Sequence, residues 1–219
     1  MHPANAIAAL NEAKIDYVCL ANNHTLDFGT DGLVETVWTV KQGNIAFAGA
    51  GETTDESRRP AVLSLPRGVG KKGHGHAHGP RSAGEEGGEG QGHKIHVYSA
   101  SDHPTDWAAV PTFHLIDYSA TTRRHLKNVL TAAWPSPRTS ATNADSSPMS
   151  STSTPIASTK PPAAAGPALK IFSVHWGPNY KWQPAAEIRS LAHFVIDECG
   201  VDIVHGHSSH HIQGVEKYK

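Results

Sequence analysis

The stretch Val201-Asp202-Ile203-Val204-His205-Gly206-His207-Ser208-Ser209-His210-His211 decides the fold. It opens as a short apolar β-type run and closes as a polar cluster rich in imidazole. Just before it, Ile188, Leu191, Ala192, Val195, Ile196 and Cys199 fall at i, i+3, i+4, i+7, i+8 and i+11, the buried stripe of a helix. Pro184 starts that helix and Gly200 stops it. The strand-then-cluster pattern recurs twice upstream. Ile171-Phe172-Ser173-Val174 runs into His175-Trp176-Gly177, and Asp16-Tyr17-Val18-Cys19-Leu20 runs into Ala21-Asn22-Asn23-His24. In an open parallel sheet, ligands gather outside the carboxyl ends of the strands. Segments remote in sequence therefore meet at one sheet edge.

The rest of the chain fits a layered α/β fold. Pro3 suits the first turn of a helix over 3–14, with Ile7 and Leu10 inward. Thr30 or Asp31 caps a second helix carrying Leu33, Val34, Val37 and Trp38, and Gly43 ends it. Strands are expected at 45–48, 61–65 and 96–98, a loop around Trp107 at 101–111, and a helix at 121–133 with Leu126, Val129 and Leu130 on one face. Two stretches have no periodicity. Residues 66–92 are rich in Gly, His, Lys and Glu, and 136–167 in Ser, Thr, Pro and Ala. Neither buries enough apolar surface to offset its ordering entropy, so both read as disordered insertions in one domain spanning 1–219.

Composition excludes several function classes. A formal charge of -1 creates no basic field for nucleic acid or an anionic membrane. The longest apolar runs fall far short of the roughly 20 residues that cross a bilayer. Met1-His2-Pro3-Ala4-Asn5 is no signal peptide. A cytoplasmic location is the default, with the compartment open if the chain is a fragment. Two Cys make no disulfide framework. Cys19 and Cys199 read as buried, inert thiols, a ligand or pairing role being the alternative. The 16 His make any metal chemistry imidazole-led.

Neutral imidazole and amide oxygen are metal ligands. Gly206 permits a turn after the last strand, so that His207 and His210 point to one side. His175 is either a core histidine bonded to backbone or a ligand at the same edge. Asn23 offers an amide oxygen, and His24 a general acid. Asp27 either orients His24 or forms an Asx turn. Asn22 and Trp176 adjoin these groups as candidate substrate-binding residues. A metal held here polarises a phosphoryl oxygen and activates water, but a two-metal site also needs a bridging carboxylate. Asp202 comes too early in its strand to serve. The tract His74-Gly75-His76-Ala77-His78 reads as solvated low complexity or as a weak metal-binding segment.

At these residues the sequence resembles the CapA family of capsule (poly-γ-glutamate) biosynthesis proteins, within the calcineurin-like metallophosphoesterase superfamily. The matching stretches are Leu20-Ala21-Asn22-Asn23-His24-Thr25-Leu26-Asp27-Phe28-Gly29, Gly32-Leu33, residues 45–51, Trp107-Ala108-Ala109, His175-Trp176-Gly177, and Asp202 through His210 with Gln213-Gly214-Val215-Glu216. The resemblance implies a metallophosphoesterase-like α/β/β/α sandwich with metals at the strand ends. It makes Asn23, His175, His207 and His210 metal ligands and turns His24 toward a substrate phosphate. The cofactors implied are divalent ions (Mn, Zn or Fe), two in an intact protein. The substrate implied is a phosphate ester or a polyanionic polymer.

The family's two acidic motifs would lie ahead of Met1 and its further strands after Lys219, so the chain reads as an incomplete, central piece. Two functions follow: a metal-dependent hydrolase or capsule-biosynthesis protein, and a non-catalytic binding module that kept the fold but lost the metal site.

Overall fold

The computed structural model describes residues 2–65, 93–134 and 166–219. Helix α1 (Pro3–Glu12) and strand β1 (Tyr17–Cys19) come first, then α2 (Gly29–Gln42) and β2 (Ala46–Ala48). A short α3 (Thr54–Arg58) leads into β3 (Ala61–Leu65). Strand β4 (His93–Ser101) follows, then a 3₁₀ turn (Thr105–Ala109) and α4 (Ala120–Thr131). The chain closes with β5 (Leu169–His175), α5 (Ala186–Cys199) and β6 (Ile203–His207).

The strands form two sheets. β1 and β2 pair in parallel, and a second sheet has the order β3-β4-β5-β6. There β3 is antiparallel to β4, while β4, β5 and β6 run parallel. Alternation along the strands sorts the side chains into layers. Val18 and Phe47 turn outward onto Leu33, Val37 and Val40 of α2 and Ile7 and Leu10 of α1. Tyr17, Ala46 and Ala48 turn inward onto Leu63, Ile95, Val97 and Ile171 of the larger sheet. On that sheet's far face Tyr98, Ala100, Phe172 and Val174 pack against Leu126 and Leu130 of α4 and Leu191 and Val195 of α5. The result is the expected α/β/β/α sandwich, with polar residues on the inter-sheet face toward the strands' carboxyl ends.

Several boundaries differ from the sequence reading. Neither Thr30 nor Asp31 caps α2: Gly29, at φ +68°, makes the turn, and both residues fall inside the first helical turn. Pro184 stands two residues ahead of α5, although Gly200 ends it in the left-handed conformation as expected (φ +65°). β4 runs to Ser101 rather than 98, because Ser99 and Ser101 keep the ladder to β5 while turning small hydroxyls between the sheets. Gly206 makes no turn. It lies within β6, and Ser208 (φ 115°) and His210 (φ 60°) take the positive angles instead. The insertions expected at 66–92 and 136–167 lie outside the described residues, apart from 166–167.

Candidate functional site

The parallel ladder places Ser101, His175 and His207 side by side, each at the last position of its strand. All three face the β1–β2 sheet. His175 and His207 approach with Nδ1 atoms 3.2 Å apart. His175 is buried, and its Nε2 has no hydrogen-bond partner. Burial, followed by the charges of His103 and His207, pulls its pKa down to about 4. His207 is held at about 4 by burial, then by His205. Both imidazoles are therefore neutral near pH 7, the form that coordinates a cation.

The smaller sheet closes one side. Cys19 ends β1 with its Sγ 3.7 Å from His207 Nε2 and donates weakly to the Ala21 carbonyl. Burial raises this thiol's pKa, so it stays protonated. Tyr17 hydroxyl and Ser99 Oγ lie 2.5 Å apart, and Ser173 Oγ is 3.0 Å from His205 Nδ1. The polar strip is thus hydrogen-bonded across both sheets. Cys199, by contrast, is fully packed on the inner face of α5.

The turn after β1 is built by Asn22. Its Oδ1 accepts from His24 N at 2.9 Å, and its Nδ2 donates to the Cys19 carbonyl at 3.4 Å. Asn23 is half-buried in this turn. His24 is exposed, with Nδ1 2.9 Å from Asp27 Oδ2, so Asp27 orients it. A depression of about 200 Å³ beside it is lined by Leu20, Asn22, His24, Phe28 and Thr36. His210 is exposed and meets the Tyr180 hydroxyl at 3.3 Å rather than the His175–His207 pair. Trp176 is half-buried, its backbone N–H donating to the His207 carbonyl at 3.0 Å. Asp202 accepts from Lys170 N at 2.7 Å, at the far end of the ladder. It supplies no bridging acid.

Two residues at this edge escape the sequence reading. Asp102 and His103 follow β4 directly, and Asp102 takes hydrogen bonds from the Tyr118 hydroxyl at 2.5 Å and from Gly177 N at 3.0 Å. The signal was the same strand-then-cluster pattern, hidden because Ser99 and Ser101 do not look like strand interior.

The pair His175–His207 fits a divalent cation. Nitrogens about 2.0–2.1 Å from a tetrahedral ion lie roughly 3.3 Å from each other, close to the observed separation. The unpartnered Nε2 of His175 is a further polar atom that the protein alone leaves unsatisfied. The pair is not a full ligand set: among the described residues no three His, Cys, Asp or Glu side chains are arranged to hold an ion.

The comparisons with known proteins agree with this fold. The family model for the bacterial capsule synthesis protein PGA_cap matches residues 1–219. The chain belongs to the PGA_cap family. Two curated relatives, each named probable polyglutamine synthesis accessory protein, come from Mycobacterium tuberculosis strains CDC 1551 / Oshkosh and H37Rv. Each is 31% identical over 225 residues, covering 100% of this chain and 45% of the relative. The PGA_cap chain described here thus spans less than half the length of the curated relatives it matches. Among its described residues no helix is long and apolar enough to cross a membrane.

Proposed function

We propose that this PGA_cap protein acts in capsule-polymer biosynthesis as a metal-dependent hydrolase on an anionic substrate, either a phosphate ester or a polyanionic polymer. The observation that carries the reading is the neutral His175–His207 pair at ligand-like separation on the carboxyl edge of a parallel sheet. Zn or Fe suits these nitrogen donors, and Mn would draw on additional oxygen donors. When bound, such an ion polarises a substrate oxygen and lowers the pKa of coordinated water. His175 and His207 hold it through their lone pairs. Asp27 fixes the His24 ring, so that His24 presents its other nitrogen to exchange a proton with a substrate oxygen. Asn22 keeps that loop in shape through its two backbone bonds.

The test is metal content and turnover together. Full-length protein dialysed against Mn²⁺ or Zn²⁺ should retain the ion and hydrolyse a generic phosphodiester, and His175→Ala with His207→Ala should abolish both. Protein that retains no ion above background overturns the reading. The absence of a three-residue ligand cluster among the described residues favours a second reading, a binding module without turnover. Polymer binding that survives the double replacement, with no hydrolysis by the parent protein, would select it.

A further inference from the structure

The end of β4 carries two groups that the reading above leaves without a role. Asp102 has a side chain 10% exposed and engaged through both oxygens. One meets His103 Nδ1; the other accepts from Tyr118 and from Gly177 N. Its own N–H donates to the His175 carbonyl at 3.0 Å. Ser101 Oγ adds a link to that carbonyl at 3.1 Å and another to the His103 carbonyl at 2.6 Å. The β4 end is therefore stitched to the β5 end, and Asp102 cannot drift from the site.

His103 lies within this frame. Its ring centroid is 4.6 Å from that of His175, which is 5.1 Å from that of His207. Three imidazoles stand in a row with a carboxylate behind the first. With Nδ1 engaged by Asp102, the lone pair of His103 falls on Nε2. A histidine whose other nitrogen is held by a carboxylate is the usual arrangement of a metal-binding imidazole. The negative charge of Asp102 attracts a cation and repels a free anion, so this corner is not an anion pocket by itself. An open depression of about 430 Å³, lined by Asp102, His103, Gly177, Pro178 and Asn179, joins it to solvent.

We propose that His103 is a third imidazole donor of the cation centre, beside His175 and His207, and that Asp102 is the carboxylate that sets its orientation. The inference rests on the divalent-cation reading of the His175–His207 pair. The three rings do not yet surround one point. His103 is the partly exposed member, a third of its side chain being open, and a rotation about its contact with Asp102 that brings Nε2 toward the pair keeps that carboxylate behind it. The centre then draws on β4, β5 and β6 together.

The experiment is a Co²⁺ titration of the full-length protein, read by calorimetry and by the visible ligand-field spectrum, with no activity measurement. His103→Gln should weaken Co²⁺ binding at least tenfold and alter the spectrum. Asp102→Asn should weaken binding by about 10–100-fold, the usual effect of losing an outer carboxylate. His193→Gln, on α5 where it meets Glu216, should change neither. Unchanged affinity and spectrum in His103→Gln, while His175→Ala abolishes binding, removes His103 from the centre and leaves the cation reading intact. No Co²⁺ uptake by the parent protein defeats both. Asp102→Asn also strips bonds from Tyr118 and Gly177, so His103→Gln decides, checked for folding by circular dichroism. His103→Asn replaces it if the glutamine variant folds poorly.

Discussion

His175 and His207 are direct partners in the β5–β6 ladder, and their Nδ1 atoms meet at 3.2 Å. Two nitrogens this close share one proton, so adding a second breaks the contact. Burial is the first cause in both groups, and each lies at about 4. In a nuclear magnetic resonance titration of the metal-free protein, both should titrate well below the ordinary imidazole range near 6.5. His207→Ala should raise the His175 midpoint, because it removes a neighbour whose charge opposes protonation. Two ordinary midpoints would dismiss the pair as ready-made neutral donors.

A second histidine pair governs stability against acid. His114 is buried, with Nδ1 2.7 Å from the Ser99 carbonyl and Nε2 3.2 Å from His125 Nε2. Burial, then His125 and Arg58, depress it to about 3. The unfolded chain protonates this side chain near 6.5, whereas the folded chain waits until about 3. Between those values the unfolded state binds more protons, so stability is complete above the window and falls as pH drops through it. The loss reaches about 2 kcal/mol by pH 5. His175 and His207 act in the same direction, so the comparison must be with His114→Gln. That variant should be less stable by about 1–3 kcal/mol at pH 7.5, from its lost buried bonds. The gap should shrink by about 2 kcal/mol at pH 5. Urea melts giving an equal gap at both pH values would refute the assignment.

The layers and half of the edge were legible in the sequence because their signals are periodic. The stripe from Ile188 to Cys199 has no reading other than a buried helix; of its six members Ile188, Leu191, Val195 and Cys199 are buried, while Ala192 and Ile196 are half-buried. His175 and His207 could be placed because each ends an apolar run in a parallel strand. Asp102 and His103 could not, since β4 buries Ser99 and Ser101 between the sheets and so lacks apolar alternation at its end. The short helix α3 was missed for a related reason: five residues, Thr54–Arg58, are too few for a helical period. His210 shows the limit of spacing arguments. It stands three positions after His207, but the positive φ angles at Ser208 and His210 carry its ring to Tyr180. Spacing predicts direction only in regular structure.

Gly49 ties the β2 end to the loop bearing Asn22 and His24. It sits at φ +99°, and a Cβ there would lie 2.4 Å from Ala21 Cβ and 2.7 Å from Ala21 N. Ala21 is fully buried and cannot retreat. Gly49→Ala combines backbone strain of roughly 1–2 kcal/mol with overpacking of about 1–3 kcal/mol. The expected loss is therefore about 2–5 kcal/mol in urea unfolding. A loss below about 0.5 kcal/mol, the scale of an ordinary surface change, would show that the loop is not anchored here.

Gly206 has a different reason to be glycine. Its backbone is ordinary strand, yet a Cβ would lie 2.6 Å from Trp176 Nε1 and 3.5 Å from Cδ1. The indole therefore rests on the bare backbone between His205 and His207. Because Trp176 is only half-buried, Gly206→Ala can push the ring toward solvent, at a cost of about 1–3 kcal/mol. The displaced ring is joined to the site, since Trp176 follows His175 and its N–H donates to the His207 carbonyl. Metal affinity should then fall in Gly206→Ala even where the protein remains folded. A double-mutant cycle separates this from a general loosening of β6. In a Trp176→Ala background the clash has no partner, and Gly206→Ala should cost at least about 1 kcal/mol less than in the parent. Equal costs in both backgrounds would mean that Gly206 acts through its own strand, and that the indole is not what holds the His175–His207 edge in place.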